Sequence, residues 1–217
     1  MCTTGDAGSK AIDAVNFHLK PRASPEDILD LAAKARSVLG PNELRKPLIN
    51  GESAYGEPPP KSPGGADFVW NDPDMQASYV SRYLLLQWSG GFAMSNWYAW
   101  DNRGSALWKT DKGLQNGAAA YERTMQWMLG TAMKTPCSQS GSLWSCELTD
   151  SKGIGSLVVW DAAQSCRGGH CSFSDREFAP SYRRYETLKG TVRSLRHPSP
   201  GGDGIVPVGI EPIRLLR

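Results

Sequence analysis

The sequence predicts an α/β unit followed by an all-β unit, and three observations point there. Strand-like and helix-like periodicities alternate from residue 11 to about residue 129. After Pro136 no helical period of any length recurs, and short apolar runs are separated by Gly, Ser and Asp. The chain has 217 residues, 40% of them hydrophobic, which is enough to bury one or two cores. The expected division is residues 1–136 and residues 137–217.

Each element follows from local chemistry. Residues 11–19 set Ile12, Ala14, Asn16 and His18 against Asp13, Val15, Phe17 and Leu19, and read as a strand largely buried on both faces that ends at His18. Ser24 supplies an N-cap hydroxyl, Pro25 suits the first helical position and Glu26 and Asp27 fall in the first turn. Ile28, Leu31, Ala32, Ala35 and Leu39 then recur at helical spacing until Gly40. Residues 46–50 form a short strand running into Gly51 and Glu52, followed by a Pro- and Gly-rich loop through Gly65. Strand, helix, strand is a parallel crossover unit.

Asp72 and Pro73 open a second helix with Val80, Tyr83, Leu84 and Trp88 on one stripe, ended by Gly90 and Gly91. Residues 92–100 read as a third strand, and Ala118, Tyr121, Met125, Met128 and Leu129 mark a third helix. In the second unit, residues 143–148, 154–160, 204–209 and 212–216 read as strands. Trp88, Trp127 and Trp144 are expected in the core.

Composition narrows the function. With 24 Lys and Arg against 22 Asp and Glu, the net charge of +2 leaves no basic excess for a run of phosphates, so no nucleic-acid partner is expected. No apolar stretch approaches the roughly 20 residues of a membrane-spanning helix, and no signal segment opens the chain. Of five cysteines, Cys137 with Cys146 and Cys166 with Cys171 bracket short loops and suit local disulfides, although spacing leaves the connectivity open; Cys2 stands alone. His170 adjoins Cys171, but neither bracket has the two-residue spacing of a zinc knuckle, so no metal is expected.

In a parallel α/β layer, side chains at the carboxyl ends of strands face the ligand crevice. His18, Glu52 and the run Trp97-Tyr98-Ala99-Trp100-Asp101-Asn102 occupy such positions. Indole faces pack on the C–H faces of a sugar ring, Asp and Asn hydrogen-bond its hydroxyls, and a carboxylate can attack its anomeric carbon. The expected substrate is therefore a carbohydrate, with no cofactor. Each residue also has a plainer reading: Glu52 as a solvated acid before a turn, His18 as a structural histidine, Trp100 as core. Trp97 and Tyr98 are expected to pack.

The order His18, then Lys46-Pro47-Leu48-Ile49-Asn50-Gly51-Glu52, then Ser81-Arg82-Tyr83-Leu84-Leu85-Leu86-Gln87-Trp88-Ser89-Gly90-Gly91, then residues 97–102, resembles the carboxyl-terminal part of a retaining (β/α)8-barrel glycoside hydrolase. The clan is that of cellulase-, xylosidase- and arabinofuranosidase-like enzymes. The resemblance spans nearly the whole chain and implies α/β plus all-β architecture: the last three strand–helix units of the barrel, with His18, Glu52 and Trp100 ending strands six, seven and eight, then a small β-sandwich over residues 137–217. It implies Glu52 as nucleophile, His18 lining the scissile-sugar subsite, Trp100 as sugar platform, and Asp101 and Asn102 as hydroxyl partners. It also implies an aromatic residue two places after His18, where this sequence has Lys20.

A retaining glycosidase needs two carboxylates, and the resemblance places the proton donor upstream of residue 1. Asn42-Glu43 is no substitute, because it precedes a strand on the face opposite the active site. Three units where a barrel has eight imply a fragment with open strand edges, inactive alone, poorly soluble or associated with a missing barrel half. Two alternatives stand beside this: a non-catalytic carbohydrate-binding or cell-surface protein using Trp100 and the β unit, and a small hydrolase pairing Glu52 with Glu57. The cysteine brackets and the resemblance imply an extracellular or periplasmic location.

Overall fold

The computed structural model describes residues 11–21, 24–54, 72–101 and 105–217. Strand β1 (Val15–Phe17), helix α1 (Asp27–Ser37), β2 (Leu48–Ser53), α2 (Pro73–Ser89) and β3 (Phe92–Trp97) follow in turn, and the strands lie parallel in the order β1-β2-β3. Helical crossovers permit this, since parallel neighbours cannot be joined by a tight turn. The registered row Phe17, Asn50, Ser95 faces the helices, and the row Asn16, Ile49, Met94 faces away, with Met94 48% exposed.

The first strand is shorter and wetter than its pattern implied: none of residues 11–20 is buried. Among the described strands β1 pairs only with β2, so its other edge is unpaired, and of its residues only Val15 and Phe17 pack against the core. Helix α1 is led in by a turn, with Asp27 N–H donating to Ser24 O and Ile28 N–H to Pro25 O. The Ser24 hydroxyl accepts from Glu26 N–H, so it caps that turn rather than the helix, whose own N-cap is Glu26.

Helix α2 begins as expected. Asp72 caps it, its Oδ1 accepting from Asp74 N–H (2.9 Å) and Met75 N–H (3.2 Å), with Pro73 in the first turn. Every residue from Gln76 to Gln87 is buried, far more than one apolar stripe. The helix is central, packed against α1, β3, helix α3 (Asn116–Met128) and strand β6 (Thr131–Ser140) at once. On α3 the buried stripe is Gly117, Ala120, Thr124 and Trp127, one step off the expected register, and Leu129 is 70% exposed. Small and polar contacts set this face: Gly117 abuts Gln76, and the Thr124 hydroxyl donates to Ser81 (2.7 Å).

Residues 143–216 supply β7 (Leu143–Asp150), β8 (Gly155–Asp161), β12 (Arg184–Thr187), β13 (Val192–Ser194) and β15 (Ile213–Leu216), joined with β6 in an antiparallel sheet ordered β13-β12-β15-β8-β7-β6. β11 (Phe173–Phe178) pairs with β14 (Gly204–Gly209) on one side of it; β4 (Trp108–Lys109) with β5 (Gly113–Leu114), and β9 (Cys166–Arg167) with β10 (His170–Cys171), form short hairpins. Pro136, expected as a boundary, lies inside β6. That strand is the sheet edge, and its register slips between Thr135 and Ser138, where a missing N–H is tolerated.

The core likewise runs through residue 136. Ile28, Leu48, Leu85 and Leu86 belong to one buried cluster with Trp144, Leu148, Val158 and Trp160, and Trp144 stacks on Trp160 at 5.7 Å. Trp127 and Trp144 are buried as expected, and Trp88 is half-buried. Buried ion pairs stitch the layers. Arg82, 2% exposed, grips Glu26, which also accepts from Trp160 Nε1 (2.9 Å); Glu186 accepts from Trp127 Nε1 (2.9 Å) and Arg214 (2.9 Å). Both cysteine brackets close, Cys137 with Cys146 and Cys166 with Cys171; Cys2 lies outside the described residues. The second bridge closes the β9–β10 hairpin, whose Gly169 N–H donates to Asp72 Oδ2 (3.0 Å) at the head of α2.

Candidate active site

The site is built by β1 and β2. His18, Leu19 and Lys20 follow the last residue of β1, and Glu52 is the penultimate residue of β2, within the register irregularity that runs from Asn50 to Ser53. Lys20 Nζ makes a close ion pair with Glu52 Oε1, and His18 Nδ1 stands 3.6 Å from Oε2. Lys20 also sits over the Tyr98 ring, 5.5 Å from its centroid. The Lys20 hydrogen bond and charge, with His18 beyond, hold the Glu52 carboxyl below the usual glutamate range, so it is ionised at neutral pH. No carboxylate is among the described groups that act on it.

A buried amide fixes this geometry. Asn50, fully buried, accepts from Leu19 N–H (3.0 Å) and donates to Leu19 O (3.0 Å), clamping the residue between His18 and Lys20. Its Nδ2 also reaches Gln87 Oε1 (2.8 Å) and Tyr83 Oη (3.2 Å), both on α2, and Tyr83 donates to Leu19 O (2.6 Å). Gly51 admits Asn16, whose Oδ1 accepts the Gly51 N–H (2.9 Å); a Cβ at Gly51 would strike that side chain. Sequence reading passed over Asn50 as part of a strand. Its signal was a polar residue at an inward position between Leu48 and Ser53.

Past β3, backbone bonds hold the aromatic run. Tyr98 N–H donates to Ser53 O (2.6 Å), and Trp100 O accepts from Trp108 N–H (2.7 Å). Trp97 packs as expected, edge-on to Tyr83 at 5.9 Å and donating to Ser105 O (3.0 Å). Tyr98 departs from expectation: at 41% exposure it is a surface ring beneath Lys20. The third strand stops at Trp97, and Trp100 lies beyond it, 57% exposed and outside the core, with Asp101 also exposed. His18, Glu52, Lys20 and Tyr98 are thus brought together. Trp100 and Asp101 sit in the segment after the neighbouring strand, and Asn102 and Glu57 lie outside the described residues. Glu43 begins a 3-10 turn ahead of β2, at the opposite end of the strand from Glu52.

No protein-family model and no curated protein matches the sequence. Solved structures do share the fold. A family 39 glycoside hydrolase from the gut symbiont Bacteroides cellulosilyticus WH2 superposes with a TM-score of 0.69 at 13% identity, over 97% of this chain and 46% of that one. The GH51 arabinofuranosidase from Xanthomonas axonopodis pv. citri gives 0.62 at 14% identity, over 96% of this chain and 54% of that one. A 4-O-α-L-rhamnosyl-β-D-glucuronidase from Fusarium oxysporum 12S gives 0.54 at 11% identity, over 96% and 54%. The chain therefore has a glycoside-hydrolase-like fold and spans about half the length of these structures. Its two disulfides fit an oxidising compartment, and no described helix is long and apolar enough to cross a membrane.

Proposed function

We propose that the chain is the carboxyl-terminal portion of a retaining glycoside hydrolase that cleaves O-glycosidic bonds of an oligo- or polysaccharide, with Glu52 as nucleophile. The observation that carries this is the ionised Glu52 at the carboxyl end of a parallel strand, with His18 beside it and the Trp100 segment following the next strand. In this reading β1, β2 and β3 are barrel strands six to eight, and residues 137–217 are the trailing β-sandwich. The solvent-facing row Asn16, Ile49, Met94 is barrel interior, completed by a further barrel segment that supplies the acid/base carboxyl. His18, Trp100, Asp101 and Asn102 hold the sugar. The protein works outside the cytoplasm, without a cofactor, a nucleic-acid partner or a membrane. Lys20 adds a specificity: a sugar bearing its own carboxylate takes over the ammonium and releases Glu52 for attack, whereas a neutral sugar must break the pair uncompensated.

In the mechanism, a Glu52 oxygen attacks the anomeric carbon while the departing oxygen is protonated, and water later releases the sugar. The test uses a leaving group that needs no proton. Incubation with 2,4-dinitrophenyl 2-deoxy-2-fluoro glycosides of xylose and glucuronic acid displaces dinitrophenolate and leaves a glycosyl ester on Glu52, read by peptide mass spectrometry and absent in Glu52→Gln. Labelling elsewhere, or none, removes Glu52 from the role. The exposed Trp100 and Tyr98 favour a second reading, non-catalytic carbohydrate binding; sugar affinity retained in Glu52→Gln, with no label in the parent, selects it.

A further inference from the structure

A second concavity lies away from Glu52, where the β12–β13 hairpin faces the β11–β14 pair, and it shares no residue with the Glu52 cluster. Its volume is about 260 Å³. Tyr185 and Ile213 are buried in its floor, with Thr187 half-buried beside them. Phe173, 57% exposed, forms one wall; the exposed Thr191 and Arg193 form the other. The Phe173 ring lies over Gly209, so closely that a Cβ there would come within 2.7 Å of it.

Glu211 closes one end. Its Oε1 is buried and has no hydrogen-bond partner, an expensive arrangement for a carboxyl group. Burial and the charge of Asp74, with a smaller contribution from Asp72, push the group up to about 7, against the opposing pull of Lys189. Lys189 is itself paired with Asp74 (3.3 Å). A smaller cavity of about 220 Å³ also borders Glu211 and Lys189, lined besides by Ala77, Ala119 and Ala120 of α2 and α3. Glu211 therefore borders both cavities, with its unpartnered oxygen shut from bulk solvent between them and the neighbouring carboxylates.

The wall chemistry selects the ligand class. Of the charged groups that line the groove, Glu211 faces an anion unfavourably and Arg193 and Lys189 face a cation unfavourably. A wholly apolar guest would cover Arg193 and the Glu211 oxygen without pairing either. A neutral polyhydroxylated ring suits all sides: it has apolar C–H faces for an aromatic wall, and hydroxyls that donate to a carboxylate while accepting from a guanidinium. The volume admits one ring, below the ~300–1,000 Å³ of sites for larger ligands.

We propose that this groove binds one ring of a neutral saccharide, with the ring face on Phe173 and its hydroxyls shared among Thr187, Thr191, Arg193 and Glu211. This makes the β region a sugar-holding element in its own right, whatever chemistry Glu52 performs. Since the groove is preformed and small, affinity is expected in the millimolar range.

The test is amide NMR of the full chain titrated with methyl β-D-xylopyranoside, methyl β-D-glucopyranoside and, as the anionic control, sodium glucuronate. Saturable shifts of Thr191, Arg193 and Gly209 with a neutral sugar are expected. Phe173→Ala and Arg193→Ala each weaken binding about tenfold, and Phe173→Trp retains it. Both side chains are exposed, so these variants keep the fold, checked by unchanged amide dispersion elsewhere. Gly209→Ala, which pushes the ring from its seat, weakens binding as a separate probe. Absence of saturable shifts in the groove up to about 100 mM of either neutral sugar overturns the proposal. So does binding indifferent to Phe173→Ala, or tighter binding of glucuronate. Shifts confined to residues 18–20, 52 and 98–101 overturn it while leaving the Glu52 reading intact.

Discussion

Replacing Asn50 with alanine tests how the candidate site is held. The side chain has four polar partners: its oxygen accepts from Leu19 N–H, and its two amide protons are shared among Leu19 O, Gln87 Oε1 and the more distant Tyr83 Oη. Two acceptors keep other partners, since Tyr83 still donates to Leu19 O (2.6 Å) and Ser95 to Gln87 Oε1 (2.7 Å). The Leu19 N–H is left with none. One orphaned donor costs about 1–3 kcal/mol, and the small void left by the amide brings the total to about 2–4 kcal/mol. Urea unfolding is expected to show the midpoint falling by about 1–2 M at constant slope. A freed Leu19 also loosens its neighbours His18 and Lys20, so Glu52 is expected to titrate closer to its ordinary 4.5, read from its side-chain carboxyl carbon by NMR. A stability change within about 0.5 kcal/mol, or an unmoved Glu52 titration, refutes the clamp.

Other consequences are equally direct. Glu26, ionised against Arg82, titrates below its ordinary range, so its contribution is fully present above the unfolded carboxylate value of about 4.3 and is lost as pH falls through the lower folded value. Arg82→Met strands the buried carboxylate and is expected to cost about 3–5 kcal/mol at pH 7, measured by urea unfolding. Glu211 has the opposite sign. Its folded value near 7 lies above the unfolded value of about 4.3, so it costs nothing below the unfolded value, destabilises as pH rises between the two, and levels off above about 7. Glu211→Gln is expected to gain about 1–3 kcal/mol at pH 8 and none at pH 4 in paired thermal melts. Opening the Cys166–Cys171 bridge by a double Cys→Ser change frees the hairpin that brings Gly169 to Asp72; a loss of about 2 kcal/mol is expected, with faster hydrogen exchange in the first turn of α2.

Much of the fold was legible because its signals are local. The Asp72-Pro73 cap, the glycines after α2, the two cysteine brackets and the closing strands around 204–209 and 213–216 each depend on a few neighbouring residues. So was the placement of Glu52 and His18 at the carboxyl ends of adjacent parallel strands, which follows from strand–helix–strand order. Reading failed where burial is decided by what packs on an element from afar. Residues 11–19 carry an apolar pattern, yet among the described strands β1 has a neighbour on one side only; α2 has one apolar stripe, yet is buried all round.

The site divides along the same line. Residue order along the chain determined that an acid, an imidazole and a run of aromatic rings would end three consecutive strands. Only the tertiary structure decided that Lys20 neutralises that acid, that Tyr98 is a surface ring beneath the ammonium, and that Asn50, 31 positions from Leu19, anchors the loop between them. Hydrogen bonds and ion pairs depend on separations in space of about 3 Å, and sequence distance carries no information about them once strands pair and helices cross over.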